Sequence, residues 1–371
     1  MTGSAVLLRR GWRALLAFGA LATVAAACDV ANWTPTPVSF DVPAAPSVTV
    51  GNSTTTTTTT TTTVAPPACT LSGPGGPLFD VNATDVGVGF TGRTFRMGTP
   101  NSACTAANPT GAKVPLIIAL HGGAETSSFM AGYSDLYARG NTGTDDYAVI
   151  FPQAVDKGVM TTWNDGRSGI TTQPATGVNP DVTDVNDVGY INALIDWAIS
   201  TGAVNPNKVY VTGFSNGAFM ANRLACESSS KLAAAVFVAG YAPLDPIAAY
   251  CPSGGASLPV LLISSDAESV VPFAGGQIGC GTVCPRGRTV SASAFMTTWR
   301  TRNGCTGSPT QEALATNVGG PGTRFVSACT KATVQDVLHD TNHEYYGGSV
   351  SAEQTYNAAV RTWAFLKQFT R

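Results

Sequence analysis

The sequence predicts an α/β domain, a mostly parallel sheet covered by helices on both faces. Three observations point there. Short apolar runs alternate with helical patterns through the C-terminal three hundred or so residues. The apolar runs are continuous, as in strands buried on both faces, and do not alternate in the half-exposed manner. One of them runs through a glycine-flanked turn straight into a helical segment, which is how a βα unit begins.

Taken in order, Val114–Leu120 (VPLIIAL) reads as a buried strand and Tyr147–Phe151 as a second. Val188–Ile199 carries helical spacing through Ile191, Leu194, Ile195 and Ala198. Val209–Thr212 is a strand, followed at once by a helix through Leu224. Ala235–Val238 and Val260–Ile263 are further strands, and 291–302 is helical. Val334–Leu338 is the last strand. Ser351-Ala352-Glu353-Gln354 resembles a capping box that opens a final helix ending near Phe369.

Composition narrows the function. Charged residues make up 12% of the chain, against roughly 25% in an average soluble protein. The net charge of -2 has no block of either sign. That excludes a basic nucleic-acid face and an acidic disordered chain. With 3 His in the chain, a His-rich metal cluster is excluded in practice.

The N-terminus reads as an export signal, residues 1–28. Arg9, Arg10 and Arg13 precede an uncharged apolar run over 14–27, shorter than the ~20 residues that span a bilayer. Arg9-Arg10 also fits a twin-arginine signal, although ordinary n-region charge accounts for it. Ala25-Ala26-Ala27-Cys28 has two readings: cleavage after Ala27, or a bacterial lipobox in which Cys28 is lipidated. Ala25 stands where a lipobox usually has Leu. The chain has 9 Cys. Without Cys28 an even set remains, which in an exported protein reads as four disulfides. Lipidation would account for the odd one and hold the protein on the outer face of the bacterial cell membrane. The alternative is a soluble extracellular protein. Residues 29–68 are rich in Thr and Pro, with an unbroken Thr run from Thr54 to Thr63. They read as a disordered linker, and the catalytic domain as 69–371. A monomer is expected.

The chemistry concentrates at Gly213-Phe214-Ser215-Asn216-Gly217, a G-x-S-x-G between strand and helix. There the Ser hydroxyl sits at a helix N-terminus, where the dipole favours developing negative charge. A serine needs a base to become nucleophilic. His121 comes too early, so it reads as a residue bracing its loop. His339 continues the last strand. His343 lies in the loop beyond that strand, where catalytic groups of α/β sheets sit, and is preferred. The acid follows a late strand: Asp266 and Glu268 both fit, with Asp245 more remote. Two backbone donors are needed for an oxyanion. Asn216 supplies one, and Gly123, in the loop after the first strand, the other.

With these residues located, the domain resembles the secreted poly(3-hydroxybutyrate) depolymerases and the feruloyl and acetylxylan esterases. The resemblance covers about Arg93 to Gly348 through LIIALHGG (116–123), TWNDGR (162–167), DVNDVGYINALIDW (184–197), NKVYVTGFSNGAFMANRLACE (207–227), VVPFAGG (270–276) and NHEYYGG (342–348). It implies an α/β-hydrolase fold and a serine esterase that needs no metal or organic cofactor. Ser215 falls on the family nucleophile, His343 on its histidine and Gly123 on its oxyanion position. The family usually has Asp-Pro before Val-Val-Pro. Here Glu268-Ser269 stands there, which favours Glu268 over Asp266. After the histidine, Glu344-Tyr345-Tyr346 replaces the usual polar-Trp-Pro. Trp163 falls in a segment that lines the family's cleft, so it is a candidate substrate contact, with a core tryptophan as the other reading. By position Cys226 pairs with Cys251 and Cys305 with Cys329; Cys280 with Cys284 and Cys69 with Cys104 follow by elimination.

The resulting expectation is an exported esterase acting on a hydroxybutyrate polyester or its oligomers, or on feruloyl or acetyl esters of plant polysaccharide. A small-lipid esterase and a peptidase share the fold. A catalytically silent envelope protein that binds glycans or a partner is the rival of another class.

Overall fold

The computed structural model of the chain describes residues 69–71, 78–141, 145–156, 160–167, 184–246, 251, 255–279, 285–314, 322–339, 343, 345 and 357–371. The leader (1–28), Cys28, the linker (29–68), the Cys280–Cys284 pair and the capping-box residues 351–354 lie outside them.

The strands are β1 (Phe79–Asn82), β2 (Thr94–Gly98), β3 (Val114–Leu120), β4 (Ala148–Pro152), β5 (Val155–Asp156), β6 (Thr161–Thr162), β7 (Val204–Phe214), β8 (Ala234–Val238), β9 (Val260–Ser265), β10 (Gly276–Gly279), β11 (Pro285–Thr289), β12 (Cys305–Leu314), β13 (Gly322–Cys329) and β14 (Val334–His339). The helices are α1 (Ser127–Tyr133), α2 (Leu136–Asn141), α3 (Asp187–Ser200), α4 (Asn216–Glu227), α5 (Ala292–Arg302) and α6 (Ala358–Leu366). The strands expected from the sequence and the helices expected before the last are present within a few residues, and the final helix is described from Ala358, its expected opening at 351–354 lying outside the described residues. The final helix opens with Asn357, whose side chain accepts from the Val360 N–H, a cap of the usual kind.

Ten strands form one sheet in the order β1-β2-β4-β3-β7-β8-β9-β14-β13-β12. The central run from β4 to β14 is parallel, and the flanking strands β1, β2, β13 and β12 pair antiparallel. Successive side chains of a strand point to opposite faces, and β3 shows the consequence. Leu116, Ile118 and Leu120 enter a core with Tyr190 and Leu194 of α3, Phe219 of α4 and Trp299 of α5. Ile117 and Ala119 enter another with Met130 of α1, Leu136 of α2 and Trp363 of α6. A strand buried on both faces has no polar positions to alternate, which is why these strands read as unbroken apolar runs. The architecture is an α/β one, a mostly parallel sheet with helices on both faces, as the sequence predicts. Disulfides join Cys69 to Cys104, Cys226 to Cys251 and Cys305 to Cys329; the last links directly opposed residues of β12 and β13.

Candidate active site

The site forms where β7 turns into α4. Gly213 and Gly217 let the two elements close up: a Cβ on Gly213 would strike the Gly217 carbonyl, and one on Gly217 the Leu120 carbonyl of β3. Between them Ser215 adopts φ 52, ψ -120, a backbone state that costs on the order of 1–3 kcal/mol for a residue with a Cβ. Its N–H donates to the Val238 carbonyl of β8 at 2.9 Å. The hydroxyl is thereby fixed beyond the carboxyl ends of the central strands.

His343 meets it from the loop after β14. The Ser215 hydroxyl donates to His343 Nε2 at 2.8 Å, and His343 Nδ1 donates to Glu268 Oε2 at 2.8 Å. The other Glu268 oxygen accepts from the N–H groups of Val270 and Val271 at 2.8 and 3.2 Å. The Glu268 side chain is only 1% exposed, so both oxygens are held and the imidazole's tautomer and tilt are set. The Phe214 ring packs beside the imidazole at 4.9 Å between centroids.

Other candidates are placed differently. Asp266 follows β9 as expected, but it is exposed and the bond to His343 comes from Glu268. Two residues further on, the chain has turned inward, which the sequence does not reveal. Asp245 pairs with Arg288 at the surface. His339 ends β14 as a buried residue. Trp163 is 0% exposed and its indole N–H donates to the His121 carbonyl at 2.9 Å. It is a core residue beneath the site, not part of a substrate wall. Tyr345, also fully buried, donates its N–H to the Tyr133 hydroxyl at 2.6 Å.

Gly123 and Asn216 stand side by side: a Cβ built on Gly123 would lie 3.6 Å from Asn216 Cβ. Neither backbone N–H has a hydrogen-bond partner among the described residues. Two adjacent free donors at a helix N-terminus are suited to a developing anion. His121 braces the Gly123 loop. Its Nε2 accepts from the Ala154 N–H at 3.0 Å, and Nδ1 bonds the Gly122 carbonyl at 2.7 Å. An amide can only donate, so Nε2 is unprotonated and the ring is neutral. Burial pushes its pKa down to about 4.

Two groups went unread in the sequence. Glu125 accepts the Gly122 N–H at 2.8 Å, and burial raises its carboxyl above the usual range. The side chain of Asn216 is held by Thr162, Trp163 and Asp165. TWNDGR carried a signal as a motif, but nothing in it said that the segment faces the start of α4.

Residues 103–279 match the family model for phospholipases and carboxylesterases. NocK of Nocardia uniformis subsp. tsuyamanensis, a protein that carries the name of an esterase, is 33% identical over 199 residues, 54% of this chain and 52% of its own length. Feruloyl esterase B of Piromyces equi is 28% identical over 167 residues, 44% of this chain and 30% of its own. The chain thus spans about half the length of the first and under a third of the second. Among solved structures, an acetyl xylan esterase from Aspergillus awamori aligns with 72% of this chain and 94% of its own, at 17% identity and a TM-score of 0.48.

Proposed function

We propose that this α/β-hydrolase, similar to proteins named as esterases, hydrolyses carboxylic esters through an acyl intermediate on Ser215. The observation that carries the reading is the unbroken relay Ser215–His343–Glu268, with 2.8 Å at each step. Ser215 Oγ attacks the ester carbonyl while His343 Nε2 takes its proton. Glu268 stays ionised against Nδ1 and stabilises the imidazolium. The carbonyl oxygen, now negative, is received by the N–H groups of Gly123 and Asn216. His343 returns the proton to the departing alcohol. Water, activated by the same imidazole, then releases the acid and restores Ser215.

The substrate belongs to the same proposal: a hydroxybutyrate polyester or its oligomers, or feruloyl or acetyl esters of plant polysaccharide. The similarity to feruloyl esterase B supports the hydroxycinnamoyl member. The leader, the Thr/Pro linker and lipidation of Cys28 complete it, as a route that carries the domain outside the cell. The test is turnover of p-nitrophenyl acetate, then of methyl ferulate, acetylated xylan and hydroxybutyrate oligomers in parallel. Hydrolysis of none of the four refutes the esterase reading. Intact mass after export reads the state of Cys28, and an unmodified Cys28 removes the lipid anchor.

A further inference from the structure

The side chain of Asn216 is 4% exposed with its residue and every one of its hydrogen-bonding positions is used. Its Oδ1 accepts from the Trp163 N–H at 2.8 Å and the Thr162 hydroxyl at 3.1 Å. Its Nδ2 donates to Asp165 Oδ2 at 2.5 Å and to the Trp163 carbonyl at 3.4 Å. An amide has two lone pairs and two N–H bonds, so this one is saturated. Asp165 is wholly buried and paired with Arg167, Nη2 to Oδ2 at 2.6 Å, with side chains 0% and 3% exposed. Arg167 Nε and its own backbone N–H also donate to Asp165. Arg167 in turn donates through Nη1 to the Arg286 carbonyl of β11 at 2.9 Å, and its guanidinium lies 4.5 Å over the Phe219 ring of α4. A buried ion pair is weak evidence of stability, since desolvation offsets its attraction. This one ends on the residue whose backbone N–H faces the proposed oxyanion.

We propose that Asp165 is a positioning residue: pinned by Arg167, it locks the Asn216 side chain and so aims the Asn216 N–H at the negative oxygen of the transition state. The inference rests on the ester-hydrolase reading given above. The reach of the device is short. Asn216 is the first residue of α4, where the backbone has no preceding turn to hold it. The side chain supplies the hold the helix lacks, and the Phe219 contact ties the same arginine to the next turn.

The test compares Asp165→Asn, Asn216→Ala, their double variant, Ser215→Ala and the unaltered protein. The substrate is p-nitrophenyl acetate and the probe an alkyl trifluoromethyl ketone. With that ketone the Ser215 oxygen bonds to the carbonyl carbon, its proton passes to His343, and the carbonyl oxygen takes the charge. Affinity therefore reads the oxyanion donors directly. Removing one such donor lowers kcat by about 10²–10³-fold, and misaiming it falls short of that. Asp165→Asn is expected to lower kcat about 10- to 100-fold, with KM within roughly twofold, and to weaken the ketone by the same factor. Asn216→Ala keeps the backbone donor and is expected to do likewise. The double variant should be no worse than the poorer single one, since both remove one device. If Asp165→Asn does not fold, Asn216→Ala decides alone. Folded variants with normal kcat and normal ketone affinity, or losses that multiply in the double variant, overturn the proposal. An inactive unaltered protein, or ketone binding that survives Ser215→Ala, instead defeats the hydrolase reading beneath it.

Discussion

Glu268 Oε2 sits 2.8 Å from His343 Nδ1, 75 positions away in the chain, while Asp266, on the same loop, faces solvent. The loop after β9 thus offers two carboxylates and uses one. Glu268→Gln is expected to lower kcat about 10³- to 10⁴-fold, because the amide cannot hold the imidazole in its working tautomer. Asp266→Asn should stay within roughly twofold. The measurement is steady-state hydrolysis of p-nitrophenyl acetate by both variants. Equal losses would mean that the wrong acid has been named.

Packing at the nucleophile turn leads to a stability prediction. Alanine is the better helix former by about 1 kcal/mol, so Gly217→Ala within α4 would ordinarily stabilise. Here its Cβ meets the Leu120 carbonyl, part of a strand that cannot move aside. The variant is expected to lose about 2–4 kcal/mol in urea unfolding. A gain in stability would show that strand and helix are further apart than described.

His121 should remain neutral in the folded protein down to about pH 5. Its pKa is pushed down to about 4 by burial, while the unfolded chain keeps the ordinary value near 6.5. The unfolded state therefore binds the proton first as pH falls. Stability from this group is complete above about pH 6.5 and is lost progressively toward pH 4, by roughly 2 kcal/mol at pH 5. Nitrogen-15 spectra of the imidazole should show the proton on Nδ1 unchanged from pH 8 to pH 5. Titration of that ring near pH 6 would contradict the account.

Asp336 of β14 works in the opposite direction. It accepts a hydrogen bond from the Ser264 hydroxyl at 3.4 Å, and burial raises its pKa to about 7. A carboxyl raised above its unfolded value of about 3.9 favours folding when protonated, so its cost grows as pH rises from about 4 through 7. Asp336→Asn is expected to add about 1–2 kcal/mol at pH 8 and nothing below about pH 4. Thermal unfolding of the two proteins at both pH values makes the comparison. A gain that is the same at both would rule out titration as its source.

Much of this was legible in the residues, for physical reasons that differ from one element to the next. β3 and β9 announce themselves because strands buried on both faces have no polar positions. The Ser215 turn is readable because its glycines are required by contact between backbones. His343 could be told from His339 because one continues a strand and the other lies past its end. The rest depends on tertiary placement. β12 (CTGSPTQEAL) is mostly exposed, so it carries no apolar rhythm. Trp163 looks the same in sequence whether it lines a cleft or fills a core. Asp165 and Arg167 are two residues apart in a segment of no regular period, and their tie to Asn216 spans 51 positions.

The central claim is that the Ser215 hydroxyl is made nucleophilic by His343. The direct measurement is mass spectrometry of the purified protein after a fluorophosphonate, with peptide mapping. The account predicts one adduct per chain, on Ser215, and its disappearance when His343 is replaced by Ala. Label on another residue, or equal labelling of Ser215 without the imidazole, would contradict it.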